Sequence, residues 1–548
     1  MELEKKLTHL NIFLIKEAFN QSTDIINEAD CNTPVEIQIP EAGRGMLYIK
    51  VSPDHLPKWS HIFDEYIDIV SIPKVSSASA AFLIKVDDRF FVLTFGQSGR
   101  FLIKEGTYEE RFGLLVALNS VDKESLRCID KQSLDTIQSH SRIQSGHETT
   151  ADQFGIDIEQ DMLKAIVGAP SDTRLGSRMT GTDSLSVSVR MNLSDLANIL
   201  QEYKNKYNAD LSSTDYQWVN NISIVKNTSI IEMLESMLIE KLIKNDHTNL
   251  WLSIPEIIQW DLVKGFTYSE GKGIVYPDIN LPGFLSTVSD DILITQDLLK
   301  HRKVSCVDED HKKVFRAWPI YKCLYSELDY DGSKYIINDG KWFNINTDFV
   351  NKTNSEFAKI VASSLSLPEY CGGGEGIYNR SVADAYPSRF ALLDDKNKIF
   401  HGGGHGQIEV CDLLSIDKQL IHVKVYGKST VFSHLISQGF VSGQLLQLDA
   451  EFRKKVKAKL SLPFKDLFKE ESRPMEKEFT IIFAIISDSK EEGIYLPFFS
   501  RVNLNNATKT LKGFGYNLEL LKIKVNDRFA RTTILPSKKN KERQIYLR

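Results

Sequence analysis

Two apolar runs, IEVCDLL (408–414) and LIHVKVYG (420–427), flank the polar pentapeptide SIDKQ, a pattern that predicts a β-hairpin. With the turn centred on Asp417, Leu414 faces Leu420, Asp412 faces His422 and Val410 faces Lys424. Period-two alternation puts Asp412, His422 and Lys424 on one face, and Cys411, Leu413, Ile421, Val423 and Val425 on the other, with Glu409 on that second, core side unless it lies at the strand's start. Burying three polar groups unpaired is costly. Either the first face is turned to water, as antiparallel strands allow, or it serves a metal or a phosphate. Beyond the hairpin, Ser429 or Thr430 can cap a helix through VFSHLISQGFVSGQLL, whose first amides suit a phosphate. His434 and Gln438, four apart, share one face of it, and Gly439 weakens it.

The rest of the chain divides by pattern. LNIFLIK, GMLYIKV, AAFLIKV and RFFVLTF are short β-branched and aromatic runs broken by turn formers, so residues 1–145 read as a β-rich domain, with a hairpin at Asp87-Asp88. FGQSGR lacks both the Lys-Ser/Thr and the following helix of a P-loop. In 146–249, IEQDMLKAIVG, LSDLANILQEYKNKY and SIIEMLESMLIEKLI carry apolar residues at three- and four-residue spacing. They predict a helical connector whose later helices are capped by Ser194 and Ser229. Residues 250–535 mix strands and helices, ending in a strand (EFTIIFAIIS), a helix (NLNNATKTLKGFG) and a strand (YNLELLKIKV), and 536–548 form a basic tail. The expected class is therefore multi-domain α/β.

Composition narrows the functions. A chain of 548 residues exceeds one core, and a net charge of −6 excludes a uniformly basic nucleic-acid coat but not a local groove. Six cysteines without a C-x-x-C pair exclude a zinc ribbon and fit a reducing cytoplasm. The first residues, MELEKKLTHLNIFLIK, read as a strand rather than a signal peptide. No uncharged apolar run is long enough for a membrane helix, so the expected location is cytoplasmic. Four of the twelve histidines (His401, His405, His422 and His434) fall close together, although HGGGH is more simply a glycine-rich turn than a metal clip. RKKVKAK (453–459) reads first as a solvated helix face, and its closeness to the hairpin makes Arg453, Lys454 and Lys455 candidate backbone contacts to nucleic acid.

An acidic residue, a strand with a carboxylate, a strand with x-x-K and a helix with Gln follow in an order that resembles the PD-(D/E)xK nuclease superfamily. The resemblance implies a mixed sheet flanked by helices and an Mg2+ or Mn2+ ion. Asp412 would hold the metal, with Glu375 of EGIYNRSVADAY and His422 as further ligands. Lys424 would stabilise charge on phosphorus, and Gln438, Ser433 and His434 would contact the phosphate. His422 departs from the pattern by standing where an acid is usual, which favours Mn2+ or a softer ion. H-x-K also opens a phospholipase-D-type motif, but Ser429 occupies its Asp position and no second copy exists.

More widely, CDLL, HVK with SHLISQG, LPFFSRVNL and FGIDIEQDMLKAIVGAP resemble an uncharacterised, sporadically distributed bacterial family of mobile and phage-defence loci. The implied function is a nuclease acting on nucleic acid, DNA first, in antiviral defence, alone, as a homo-oligomer or with a defence-system partner. The alternative is a non-catalytic module, with a degenerate nuclease fold, that binds nucleic acid or a phage protein. In either case the β-rich N-terminal domain would be the sensor.

Overall fold

The computed structural model describes residues 5–529 except 40–42, 135–138, 259, 261–262, 269–272, 290–291, 309–313, 394–398, 401–406, 427–429, 470–471, 490–492 and 527. His401, His405 and the basic tail lie outside the described residues, as does the side chain of Ser433. The chain forms two compact units, Met1–Gln132 with His140–Asn220, and Asn221–Arg548 with Ser133–Ser139.

The first unit is built on a ten-stranded sheet in the order Val35–Ile39, Gly43–His55, Val75–Val86, Arg89–Phe95, Lys6–Leu14, Leu185–Met191, Arg178–Gly181, Asp161–Pro170, Val121–Ser133, Ser139–Thr149. All four runs expected as strands are strands. Asp87 makes the expected turn with φ 52°, between Val86 and its partner Arg89. Helices Phe112–Leu118 and Leu196–Asn208 cover one face through Phe112, Leu114, Leu196, Leu200 and Tyr203.

The helical reading of IEQDMLKAIVG is corrected: Asp161–Pro170 is a strand with buried residues on both faces. A strand covered on both sides carries a nearly continuous apolar run, which spacing alone cannot separate from a helix. The other two expected helices are present, but Asp195, at the end of a short 3-10 turn capped by Asn192, and Asn227, rather than Ser194 and Ser229, stand at their starts. Asn227 accepts from the amides of Ser229 and Ile230.

In the second unit, an antiparallel five-stranded sheet (Ile222–Ile224, Lys341–Ile345, Ser333–Asn338, Leu324–Tyr330, Leu250–Leu252) precedes a six-stranded mixed sheet. The mixed sheet holds the hairpin. Its elements follow as α1 (Glu375–Ala385), β1 (Phe390–Leu392), β2 (Leu413–Ser415), β3 (Gln419–Val425), α2 (Thr430–Leu448), α3 (Ala450–Lys459), β4 (Thr480–Ser487), α4 (Phe498–Gly513) and β5 (Asn517–Lys524). The order across the sheet is Val361–Ala362, β5, β4, β3, β2, β1. β1, β2 and β3 are antiparallel, whereas β3, β4 and β5 are parallel and joined by helical crossovers. The expected hairpin register holds, with Leu413 opposite Ile421 and Leu414 opposite Leu420.

Both faces of this sheet are buried. Leu414, Leu420, Ile481, Phe483 and Ile485 pack under α2 and α4, while Leu413, Ile421, Val423 and Ile482 pack against Tyr378 and Val382 of α1. Helix α2 lies close to the sheet because Gly439 and Gly443 have no side chains. A Cβ on Gly439 would stand 2.6 Å from Phe483 Cε1 and 3.4 Å from His422 Cδ2, and one on Gly443 would stand 2.9 Å from Ile481 Cδ1.

Candidate active site

Strand β3 outruns its hairpin partner. On one side it pairs with β4 along its whole length, Gln419 to Val425. On the other side the β2 ladder stops at Leu413, and the last backbone bond of the hairpin runs from the Asp412 amide to the Ile421 carbonyl (2.9 Å). The amides of Val423 and Val425 would be left without acceptors, and buried N–H groups are seldom left so. Two carboxylates replace the missing ladder. Val423 N–H donates to Asp412 Oδ2 (2.7 Å), and Val425 N–H donates to Glu375 Oε1 (3.0 Å), from the first turn of α1.

Lys424 lies between these two amides in sequence. Its ammonium donates to Glu375 Oε2 at 2.5 Å. Burial lowers its pKa, but the hydrogen bond and charge of Glu375, followed by the charges of Asp412 and Glu409, outweigh that and leave it raised. Asn379, one turn along α1 and fully buried, donates from Nδ2 to Asp412 Oδ1 (3.0 Å). From α2, Gln438 Nε2 donates to Glu409 Oε2 (3.1 Å). Glu409 was expected on the core side, but β2 begins only at Leu413. Residues Gln407–Ile408 instead pair with Ile399–Phe400 in a separate two-stranded ribbon, so the alternation does not extend back to Glu409.

His422 is 1% exposed, with its ring 6.0 Å from that of Phe483 and against Gly439. Burial first, and then the charge of Lys424, push its pKa down to about 3. It is therefore a neutral imidazole at ordinary pH, and its Nε2 has no hydrogen-bond partner among the described residues. Cys411 is buried beside the cluster; burial and then the Asp412 and Glu409 charges push its thiol well up, so it is inert as a nucleophile.

The structure therefore gathers Glu375, Asp412, Lys424, Gln438 and Glu409 around the free end of β3, with His422 beneath. Asn379 was missed as a site residue, and Glu409 was weighed only as a substitute for the acid absent at position 422. Asn379 was legible only as one helical turn after Glu375. The nucleic-acid contacts fare differently. His434 is exposed on α2. Lys454 is exposed, and Lys455 pairs with Glu451 (2.8 Å). Arg453 is 4% exposed and donates from Nη1 to the Leu446 (2.9 Å) and Gln447 (3.3 Å) carbonyls. That corrects its expected role: its guanidinium closes the C-terminal end of α2 instead of facing solvent. Among the described residues, no three His, Cys, Asp or Glu side chains converge as a ready metal cluster, and no helix is long and apolar enough to cross a membrane.

A family model spans residues 10–524. The chain belongs to DUF6119, a family of unknown function. No curated protein and no solved structure matches it. The DUF6119 match runs through both compact units, so the hairpin site and the ten-stranded sheet belong to one family unit.

Proposed function

We propose that this DUF6119 chain is a metal-dependent phosphodiester hydrolase acting on nucleic acid, DNA first, in antiviral defence. One observation carries the reading: in an α-β-β-β-α-β succession, a carboxylate of α1 holds the lysine of β3, and a carboxylate just before β2 holds the neighbouring Val423 amide, at the strand's unpaired end. This is the order of elements that the PD-(D/E)xK resemblance implies, with Asp412, Lys424 and Glu375 in the corresponding positions.

The donors suit a hard divalent cation. Mg2+ keeps much of its water and takes one or two carboxylates plus substrate phosphate, so a closed protein cage is not needed. The neutral imidazole of His422, whose buried Nε2 lacks a partner among the described residues, adds a nitrogen donor that Mn2+ accepts more readily than Mg2+. Asp412, with Glu375 and His422, would hold the ion, which when bound supplies Lewis-acid polarisation of a phosphoryl oxygen. Lys424 places a fixed positive charge where negative charge develops on phosphorus, and Gln438 positions a phosphate oxygen through its amide. Asn379 and the Val423 amide hold the Asp412 carboxylate in one orientation.

The alternative is a binding module. It is favoured by the backbone and lysine bonds that already occupy Asp412 and Glu375. Incubating plasmid, linear and single-stranded DNA and RNA with the protein and Mg2+ or Mn2+ separates the two. The expected outcome is cleavage by the parent and a loss of about 100- to 1,000-fold in turnover for Lys424→Met, with DNA affinity retained. Binding that weakens with salt, without cleavage under any metal, assigns the binding role instead.

A further inference from the structure

In the first unit, helix Leu196–Asn208 covers only part of its face of the ten-stranded sheet. Beyond Leu196 that face opens into a cleft of about 630 Å³, a volume that suits a small ligand. Leu10, Leu93 and Phe82, from three successive strands of the sheet, form its buried floor, with Leu196 at one side and Ile37 at the other. Phe82 reaches over Gly45, where a Cβ would stand 2.5 Å from its Cε2, so the glycine keeps the ring down on the sheet. Leu193 and Phe95 stand exposed at the mouth, the kind of apolar surface that marks a binding site.

The lining is polar at one end only. There Lys6 and Thr8 lie beside Asn192, which follows the strand partner of Lys6, Met191. The Thr8 hydroxyl turns back to the Lys6 carbonyl (3.3 Å). The neighbouring Lys5 is matched by Asp195 (3.1 Å). Lys6 is the one charged residue lining the cleft, and among the described residues its ammonium has no ion-pair partner. From the strand of Lys6 to that of Ile37 the cleft crosses four strand spacings, about 19 Å. An apolar trough of that length with a single cation at its end matches an extended alkyl chain carrying one negative charge.

We infer that the first unit binds a long-chain fatty carboxylate, with the chain laid across Leu93 and Phe82 and the carboxylate on the Lys6 ammonium. The site goes beyond the hydrolase reading, which stands or falls without it.

The test is isothermal titration calorimetry of the full chain with palmitate, kept below the concentration at which it forms micelles, and with palmitylamine, which keeps the chain and reverses the head charge. The parent is compared with Lys6→Glu, Ala80→Trp and Leu193→Asp, each checked for native circular dichroism. Lys6 and Leu193 are exposed, and Ala80 lines the cleft opposite Phe95, where an indole fills it. The parent is expected to take up one palmitate per chain and to prefer it to palmitylamine. Lys6→Glu is expected to lose about ten-fold or more in palmitate affinity and to gain in palmitylamine affinity. Ala80→Trp is expected to bind neither, and Leu193→Asp, which puts a like charge at the rim, to bind palmitate more weakly than the parent. A parent without saturable palmitate binding, equal affinity for the two heads, or parental affinity in Lys6→Glu overturns the assignment. So does a dimer, seen by light scattering, that Leu193→Asp splits while palmitate does not bind, because the cleft is then an interface between two copies of the chain.

Discussion

At the scale of single residues, His422 governs how the second unit responds to acid. An unfolded imidazole takes its proton near pH 6.5, whereas the buried ring stays neutral down to about 3. Between those values the unfolded chain binds a proton that the folded chain does not. This contribution is therefore complete above about pH 6.5 and is lost as pH falls toward 3, by at most about 1.4 kcal/mol per pH unit. His422→Gln stays neutral throughout, so its urea midpoint is expected to change less than the parent's between about pH 7 and 4.5. The Lys424 ammonium adds nothing to that acid slope. Its pKa is raised, so its stabilisation is complete below about 10.4 and fades only in alkali. Asp412→Ala is expected to cost about 1–3 kcal/mol in urea unfolding whatever its effect on catalysis, because it strands the buried Val423 amide. At this scale, the approach of Asp412 to β3 was legible because a single turn fixes the register of a short hairpin. Arg453 was not, since a run of basic residues carries no sign of which one turns inward to close a helix.

At the scale of elements, α2 runs against its own propensities. Alanine is a better helix former than glycine, yet Gly439→Ala is expected to lower stability by about 1–3 kcal/mol, because the new methyl meets Phe483 at 2.6 Å. A thermal melt checks this, and Gly439→Ser should be at least as harmful. The sequence marked Gly439 as a weakness in the helix; the structure shows a packing requirement that no propensity contains. The first four strands and β4 were legible from their density of β-branched and aromatic residues between turn formers, although they are buried largely on both faces. The strand Asp161–Pro170 was not, because its nearly continuous apolar run also fits helical spacing. The side taken by Glu409 depended on where the strand starts, and β2 begins only at Leu413, so alternation does not reach it.

At the scale of the second unit, its five-stranded and six-stranded sheets are joined through α4. Glu327, from the five-stranded sheet, is 5% exposed and accepts from Phe498 N–H (2.8 Å) at the start of α4 and from Tyr325 Oη (3.2 Å). Arg501 of α4 donates to Asn354 (2.9 Å) and Asn505 Nδ2 donates to the Thr353 carbonyl (3.0 Å), both on the helix Thr347–Ala358. Glu327→Ala is expected to cost about 1–3 kcal/mol and to split the unit's urea transition into two steps, read as divergence between near-ultraviolet and far-ultraviolet circular dichroism. The two carboxylates that close the unpaired edge of β3 also bear on descent. Asp412 and Glu375 each hold a backbone amide, so selection for folding alone preserves them in a lineage that has lost chemistry. Among the described residues, neither Lys424 nor Glu409 holds a backbone amide. Among relatives of this chain, it is the loss or retention of that lysine and that glutamate which will separate working sites from relics.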